Sequence, residues 1–392
     1  MSNTILTSSV ITKEALRILH QKLNFVGSMN RAYDSSFAQS GAKIGDSLRI
    51  RLPNKYVVRD GATLVAQDTV ETSTTLQVAT QKGVDLNFTS NELTLSLDDF
   101  SKRILEPAMA QLSASIEADA FSMVKDIPYA VGQNGSAVTF KNILEARKKL
   151  ADNLAPESDR TLILNTQDNV DLVDSLKGLF QDSSTIAQQY KKGMVGKTAG
   201  YDSIYENTLL PNFSFGAGAS YLVNGASQSG TSLIVDTGTG AMPKGTVFSI
   251  ASVYAVHPES RLSTGVLQQF VVTADYTGGG GTVSIYPAIT ATGAYQTVNA
   301  VPADNAVITT FVTASADVTQ SLAFQKDAFT FATADLIMPK GCDFTAREVY
   351  DGISMRVVRQ YDINNDAFPC RLDILYGYKT IRPELACRIL AN

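Results

Sequence analysis

The sequence predicts an α+β chain in which an all-β module interrupts a body of mixed helices and strands. Three observations carry this. Residues 96–125 hold one apolar stripe at helical spacing. Residues 217–316 hold only six charged residues in one hundred, whereas the whole chain is 18% charged. Thirteen of the 27 glycines lie between Gly216 and Gly293, punctuating short runs of alternating apolar and polar residues.

Residues 12–24 read as an amphipathic helix, with Thr12 as N-cap and Ala15, Leu16, Leu19 and Leu23 on one face. The polar stretch to Ser40 has no period, so residues 1–45 are expected to form an N-terminal arm apart from the core. From 46 to 90 the period becomes two. Leu48, Ile50 and Leu52 alternate with Arg49 and Arg51, and Leu76 and Val78 alternate with Thr75 and Gln77. Arg59-Asp60-Gly61 is turn-like, and residues 63–74 contain no aromatic side chain. This segment is expected to be an extended two-stranded loop with a polar tip, marginal in water unless it packs on a neighbour.

Ser96 is a candidate N-cap, with Asp98 and Asp99 placed to complement the helix dipole. Leu105, Met109, Leu112, Ile116, Ala120 and Met123 continue the stripe to about Lys125, giving a helix of roughly 45 Å. Pro107 should start or kink it. Residues 91–127 therefore form a spine helix. In 128–216, helices over 140–151 and 166–180 flank a short buried strand over 161–164, a compact α/β region. Residues 217–316 follow as short alternating runs over 232–235, 247–253, 266–272, 283–286 and 307–312, separated by turns rich in Gly, Thr and Ser, which read as a small all-β unit. Mixed α/β character returns over 317–392.

Catalytic chemistry finds no support. Lys and Arg number 33 against 38 Asp and Glu, a net charge of −5, weak and of the wrong sign for a dedicated nucleic-acid binder. No run of 18 apolar residues occurs, and the N-terminus lacks the basic and apolar regions of a signal peptide. Cys342, Cys370 and Cys387 lack CxxC spacing and are expected to be free thiols in a reducing cytosol. His20 and His257 have no second histidine at metal-ligand spacing, so neither metal nor cofactor is expected. Gly193, Gly196, Lys197 and Thr198 imitate a phosphate loop, but Lys191 stands where its first glycine belongs and no apolar strand precedes it. Gly278 to Gly281 reads as a turn. Asp98 and Asp99 are adjacent at a helix start, which suits the dipole rather than acid–base work. The chain is expected not to be an enzyme.

The C-terminal segment is the most specific part. It runs Ile353-Ser-Met-Arg356-Val-Val-Arg359-Gln-Tyr-Asp362, then Cys370-Arg-Leu-Asp373-Ile-Leu-Tyr376-Gly377, then Arg382-Pro-Glu384-Leu-Ala-Cys-Arg388. With the order of elements above, it resembles the coat (major capsid) protein family of short-tailed double-stranded-DNA bacteriophages, the phage P-22 type. The resemblance implies the Hong Kong 97 capsid fold: N-arm (1–45), extended β-hairpin loop (46–90), spine helix of a peripheral domain (91–127) and axial α/β domain (128–216). An inserted antiparallel β-barrel-like domain (217–316) and an axial and peripheral return (317–392) complete it. It further implies a subunit that self-assembles into hexamers and pentamers of an icosahedral shell around packaged double-stranded DNA. Scaffolding protein and portal are implied partners, with DNA touched only weakly and non-specifically. The place implied is the virion, after assembly in the host bacterial cytoplasm, with no membrane involved.

Candidate subunit-contact residues are Arg59, Asp60 and Glu71 at the loop tip and Arg356, Arg359, Asp373, Arg382 and Glu384 near the C-terminus. The bland reading makes Arg356, Arg359, Arg371, Arg382 and Arg388 surface charges balanced by Asp362, Asp366, Asp373 and Glu384, worth ~0–1 kcal/mol per exposed pair. A competing function is a carbohydrate-binding or adhesive surface protein using Tyr221, Tyr254, Tyr276, Tyr286 and Tyr295 as platforms. The missing tryptophan and secretion signal weigh against it.

Overall fold

The structure, a computed structural model, describes residues 8–31, 47–59, 61–64, 66–69, 71–89, 105–132, 135–176, 198–312, 317–350, 353–365 and 367–391. Asp60, the expected helix start at Ser96, Asp98 and Asp99, residues 177–180 of the expected helix over 166–180, and Lys191 to Lys197 lie outside these residues. The chain divides into two compact units. One holds Met1–Leu52, Ser73–Ala120 and Phe329–Ile381; the other holds Pro53–Thr72, Phe121–Ala328 and Arg382–Asn392.

In the first unit the N-terminal helix spans Ser8–Lys22, and Thr12 is buried inside it rather than capping it. Ala15, Leu16 and Leu19 are buried, as are Phe25 and Val26 of the short helix Phe25–Ser28. The Phe25 backbone N–H donates to the buried Glu117 carboxylate at 2.7 Å, and its ring meets Phe329 edge-on at 5.5 Å. Asn30 then runs parallel to Thr330. Residues 8–30 are thus part of a core, correcting the expectation of a separate arm. Leu16, Leu19, Phe25, Val26 and Met29 are too much apolar surface to leave in water.

The strands Ser47–Arg51 and Ser73–Gln77 pair antiparallel, with Ser47 opposite Gln77 and Arg51 opposite Ser73. Ile50, Leu76 and Val78 bury against Ala332, Ala334, Leu336 and Leu375. The loop pairing ends there. The strand Thr80–Thr89, expected within the loop, instead pairs along its whole length with the long strand Ala367–Thr380. That long strand organises the sheet. Its other edge takes Ile353–Arg359 on the first half and Phe329–Ala334 on the second, and Phe344–Tyr350 pairs outside Ile353–Arg359. A Cβ on Gly377 would fall on the Gln77 carbonyl oxygen, so glycine is required where the hairpin crosses.

The helix Glu106–Phe121 buries Met109, Leu112, Ile116 and Ala120 of the expected stripe; Leu105 precedes it and Met123 lies in the 3-10 turn Ser122–Asp126, so the α-helix stops short of the expected end near Lys125. Pro107 is its second residue, where the missing N–H costs nothing. Asp119 receives the Tyr376 hydroxyl at 2.5 Å and the Lys82 ammonium at 2.7 Å, and Lys82 also donates to the Ser115 hydroxyl at 2.7 Å. One carboxylate therefore ties the helix to two strands.

In the second unit a sheet runs Ala130–Gly132, Ala386–Leu390, Gln320–Gln325, Arg160–Leu164, Ser203–Glu206. Its outer pairings are parallel and its inner ones antiparallel. The helix Phe140–Asp152 opens with a capping box between Thr139 and Asn142, and buries Ile143, Ala146 and Leu150. The helix Thr166–Leu176 follows the buried strand directly. Mixed character was expected beyond residue 317; among the described residues there, strands and short 3-10 turns replace α-helix.

The low-charge segment leaves this sheet through Phe213–Ser214 and returns through Asp317–Val318, which pair with each other. Among the described residues between them, six strands run antiparallel in the order Ile308–Thr310, Val247–Val256, Ser263–Val272, Gly281–Ile289, Gly230–Asp236, Leu222–Val223. The two ends of that order meet. Ile308 N–H donates to Tyr221 O at 3.0 Å, Val223 N–H donates to Ala306 O at 3.0 Å, and Leu222 bridges Val307. Alternate residues then serve two cores. Phe248, Phe270, Val272, Val283 and Ile285 point inward with Tyr221 and Leu233. Val247 and Val271 point the other way, onto Phe213, Phe215, Val318, Leu390 and Ala130. The Gln269 amide adds a two-point bond to Ala130, accepting its N–H at 3.2 Å and donating to its carbonyl at 2.9 Å. Gly278, at φ +110°, approaches the Gly240 carbonyl, so the glycine run is a turn.

Candidate assembly interface

Asp373 lies mid-strand in Ala367–Thr380 and is fully buried. Arg356 faces it across the strand pair, and Arg371 shares its face two residues back. Arg356 Nη2 donates to Oδ2 at 2.6 Å, while its Nη1 donates to Ile337 O at 2.7 Å. Arg371 Nε donates to Oδ1 at 2.7 Å. On the other side stands Gly83, where a Cβ would reach Asp373 Oδ1 at 2.5 Å; only glycine leaves room for the carboxylate. Both oxygens are thus occupied within the subunit.

Removing one partner of a buried pair strands the other. We expect Asp373→Ala, which leaves Arg356 nearly buried without a counter-charge, to cost about 3–5 kcal/mol of subunit stability. Urea unfolding followed by circular dichroism measures this, and a loss under about 1 kcal/mol, the worth of an exposed pair, would contradict it.

The Arg359 guanidinium lies 4.5 Å from the Phe344 ring centre and 5.1 Å from that of Phe368, and donates to Asp343 at 3.2 Å. Planar guanidinium stacks well on rings, which a lysine at this position would not reproduce. Exposed Tyr361 packs on Phe368 at 4.9 Å, and Ile363 is 80% exposed on the same turn. Arg382 precedes the 3-10 turn Pro383–Leu385 and pairs at 3.0 Å with Glu384 inside it, each about one-third exposed. The Tyr286 hydroxyl donates to the second Glu384 oxygen at 3.3 Å. Burial, then the Glu384 charge, raise that phenol well above its usual range.

Arg59 is exposed, its guanidinium donating to the Gly61 carbonyl, and Glu71 is exposed as well. The loop was expected to be polar at its tip. Instead Tyr56, Val57, Val58 and Leu64 all face solvent, Val58 at 89% and Leu64 at 82%. Sequence reasoning passed over these apolar residues, although Tyr56-Val-Val between Lys55 and Arg59 was the available signal. The legs are held together by Gln67, whose amide accepts from Val57 N–H at 2.9 Å and donates to Val57 O at 2.6 Å. A side chain stands in for a rung of strand pairing.

Arg388 is a second correction, because it is no surface charge. It is fully buried in Ala386–Leu390 and donates to Ile127 O and Gly245 O at 2.8 Å each and to Gln320 Oε1 at 3.4 Å. Burial lowers its pKa to about 10, which leaves it charged at neutral pH. The same burial pushes Cys387 up to about 12, an unreactive thiol.

Among the described residues no cluster of His, Cys, Asp and Glu fits a metal ion, and no helix is long and apolar enough to cross a membrane. The His257 ring accepts backbone N–H groups of Glu259 and Ser260 in a turn. The proposed sugar platforms fare no better: Tyr221 is buried in the core, and Tyr286 spends its hydroxyl on Glu384.

A family model described as P22 coat protein, gene protein 5, matches residues 3–390. The chain belongs to the P22 coat protein family. It is accordingly a phage major capsid protein, a structural subunit of an icosahedral shell and part of the virion, not an enzyme. The carbohydrate-binding alternative has no support. Comparison with curated proteins gives no match. Among solved structures, the chain is similar to one from Mycobacterium phage Che8, at 13% identity over 94% of this chain and 90% of that one, TM-score 0.48. It is similar to the mature capsid of bacteriophage PhiM1 at 11% identity over 91% and 84%, TM-score 0.44. The CUS-3 coat protein I-domain aligns at 27% identity over 23% of this chain and 94% of its own, TM-score 0.19. This P22-family subunit associates with copies of itself, and its charges divide into internal joints, such as Asp373, and partly exposed groups, such as Arg382 and Arg59.

Proposed function

We propose that this coat subunit adopts the Hong Kong 97-type arrangement and closes into hexamers and pentamers. In it, residues 46–90 contain the extended loop, 91–127 the spine, 128–216 and 317–392 the axial and peripheral parts, and 217–316 an inserted barrel-like domain. The loop is the chief contact element, through exposed Tyr56, Val58 and Leu64 together with Arg59, Asp60 and Glu71. Arg359 in the first unit, and Arg382 and Glu384 in the second, are further proposed contact residues, and Arg356 with Asp373 supports the sheet that carries Arg359. The observation that carries this reading is the loop surface. It exposes large apolar side chains that a chain assembling with its own copies has reason to cover.

Scaffolding protein and portal are further proposed partners, with assembly in the host cytoplasm and weak, non-specific contact with packaged DNA. The net charge of −5 agrees with that last point, since a shell at high DNA density gains nothing from gripping it. Electron microscopy of the protein made in a bacterium, with and without a co-expressed scaffolding protein, tests the proposal. We expect closed shells with the scaffold and irregular polyheads without it. Monodisperse monomer under both conditions would overturn the assembly reading, and identical closed shells under both would remove the scaffold from it.

A further inference from the structure

Asp168 is the third residue of the helix Thr166–Leu176, and it is fully buried. Its Oδ2 accepts the Ser321 hydroxyl, which in turn accepts the Asn165 N–H at 2.9 Å. Its Oδ1 is buried without a hydrogen-bond partner among the described residues. An ionised carboxylate can accept about four hydrogen bonds, so this one is served by a single strong donor. A neutral carboxyl in the same place loses far less.

Among the described residues, the surrounding elements supply no compensating cation. On its own helix, Asp171 lies one turn on, accepts the Gln167 amide at 3.0 Å, and adds repulsion; Asp174 lies further along. The strand Gln320–Gln325 presents Ser321 and neutral Gln320 and Gln325. On Arg160–Leu164, the Arg160 guanidinium is turned to the Ala155 and Pro156 carbonyls. On Ser203–Glu206, Glu206 accepts the Asn169 amide at 2.6 Å. The helix Phe140–Asp152 carries Lys141, Glu145, Arg147, Lys148, Lys149 and Asp152; of these, Lys141 pairs with Glu145 and Lys149 lies over the Tyr129 ring. A helix N-terminus alone would favour the ionised form. Burial wins, pushing the pKa from 3.8 up to about 6, with Asp171 adding to the rise.

We propose that Asp168 is a proton-operated latch between the helix Thr166–Leu176 and the strand Gln320–Gln325, closed in mild acid and loosened at neutral pH. The folded carboxyl keeps its proton up to about 6, while the unfolded one releases it near 3.8. Folding therefore takes up a proton between those values. The latch contributes fully below 3.8, and its contribution is lost as the pH rises through about 6. Above that, the subunit carries a buried, poorly served anion.

The test uses the full-length soluble subunit and Asp168→Asn, which keeps the shape and removes the charge. At pH 7.5 the variant should fold more favourably than wild type, by up to roughly a hundredfold in the equilibrium constant, with the difference nearly gone by about pH 4. Hydrogen exchange of residues 166–176, corrected for intrinsic rates, should slow in wild type between pH 7.5 and pH 5, and should not change in the variant. Wild-type protection that ignores pH across this range would overturn the latch, as would a variant less stable than wild type at pH 7.5 in a background where protection is also constant. Asp171→Asn gives an independent reading. It should move the wild-type stability curve to lower pH, and an unmoved curve counts against the proposal.

Discussion

Excising residues 56–70 should leave a folded subunit that no longer builds shells. The removed residues include Tyr56, Val58 and Leu64, which face solvent and support no core, while the pairing from Ser47–Gln77 to Arg51–Ser73 stays in place. Six residues from Leu52 to Thr72 then span the turn, a comfortable length for an antiparallel connection. Far-ultraviolet circular dichroism and thermal midpoint should stay near wild type. Assembly, read by electron microscopy and sedimentation, should be lost. Normal shells from the excised subunit would remove the loop from the contact between copies.

Arg388→Ala should be the costliest single substitution inside the second unit. It opens a cavity the size of the largest fully buried side chain among the described residues and leaves the Ile127 and Gly245 carbonyls without their donor. Each unpaired buried carbonyl costs about 1–3 kcal/mol, and relief of the desolvated charge returns part of that. A net loss of about 3–5 kcal/mol follows, enough to unfold a marginal subunit. Arg388→Lys should fall between, since the shorter lysine stem ends before the position of Nη2, which serves both carbonyls, and has no second nitrogen for Gln320 Oε1. Urea midpoints measure both, and an alanine variant as stable as wild type would show these bonds to be idle.

What the sequence made legible was local. The stripe from Leu105 to Met123 and the glycine-punctuated strands of 217–316 each declare their period within a few residues, and both are found in the structure. Non-local partners stayed hidden. The strand Thr80–Thr89 looks like more hairpin because its true partner, Ala367–Thr380, lies almost 300 residues away in the sequence. The N-terminal helix looks detachable for the same reason. Among the charges, Asp373 did carry a signal, a lone acid in the apolar run Leu372-Asp-Ile-Leu-Tyr376, which marks a buried carboxylate needing partners. Arg388 reads much like Arg382 in sequence, yet one is fully buried and the other partly exposed. What distinguishes them is the pair of carbonyls at Ile127 and Gly245, brought together only by folding.

The pairing of Phe213–Ser214 with Asp317–Val318 bears on how this chain is free to evolve. Its two ends stand one strand spacing apart, about 5 Å, so to the surrounding sheet the long excursion between them is equivalent to a tight turn. The entropy of closing such an excursion grows only logarithmically, about 0.6 kcal/mol for each doubling of length. Lengthening or shortening it therefore disturbs the parent sheet little, provided the ends and the Gln269 and Arg388 anchors are kept. Drift in size is cheap here, whereas an insertion in the fully buried strand Ala386–Leu390 has no comparable outlet.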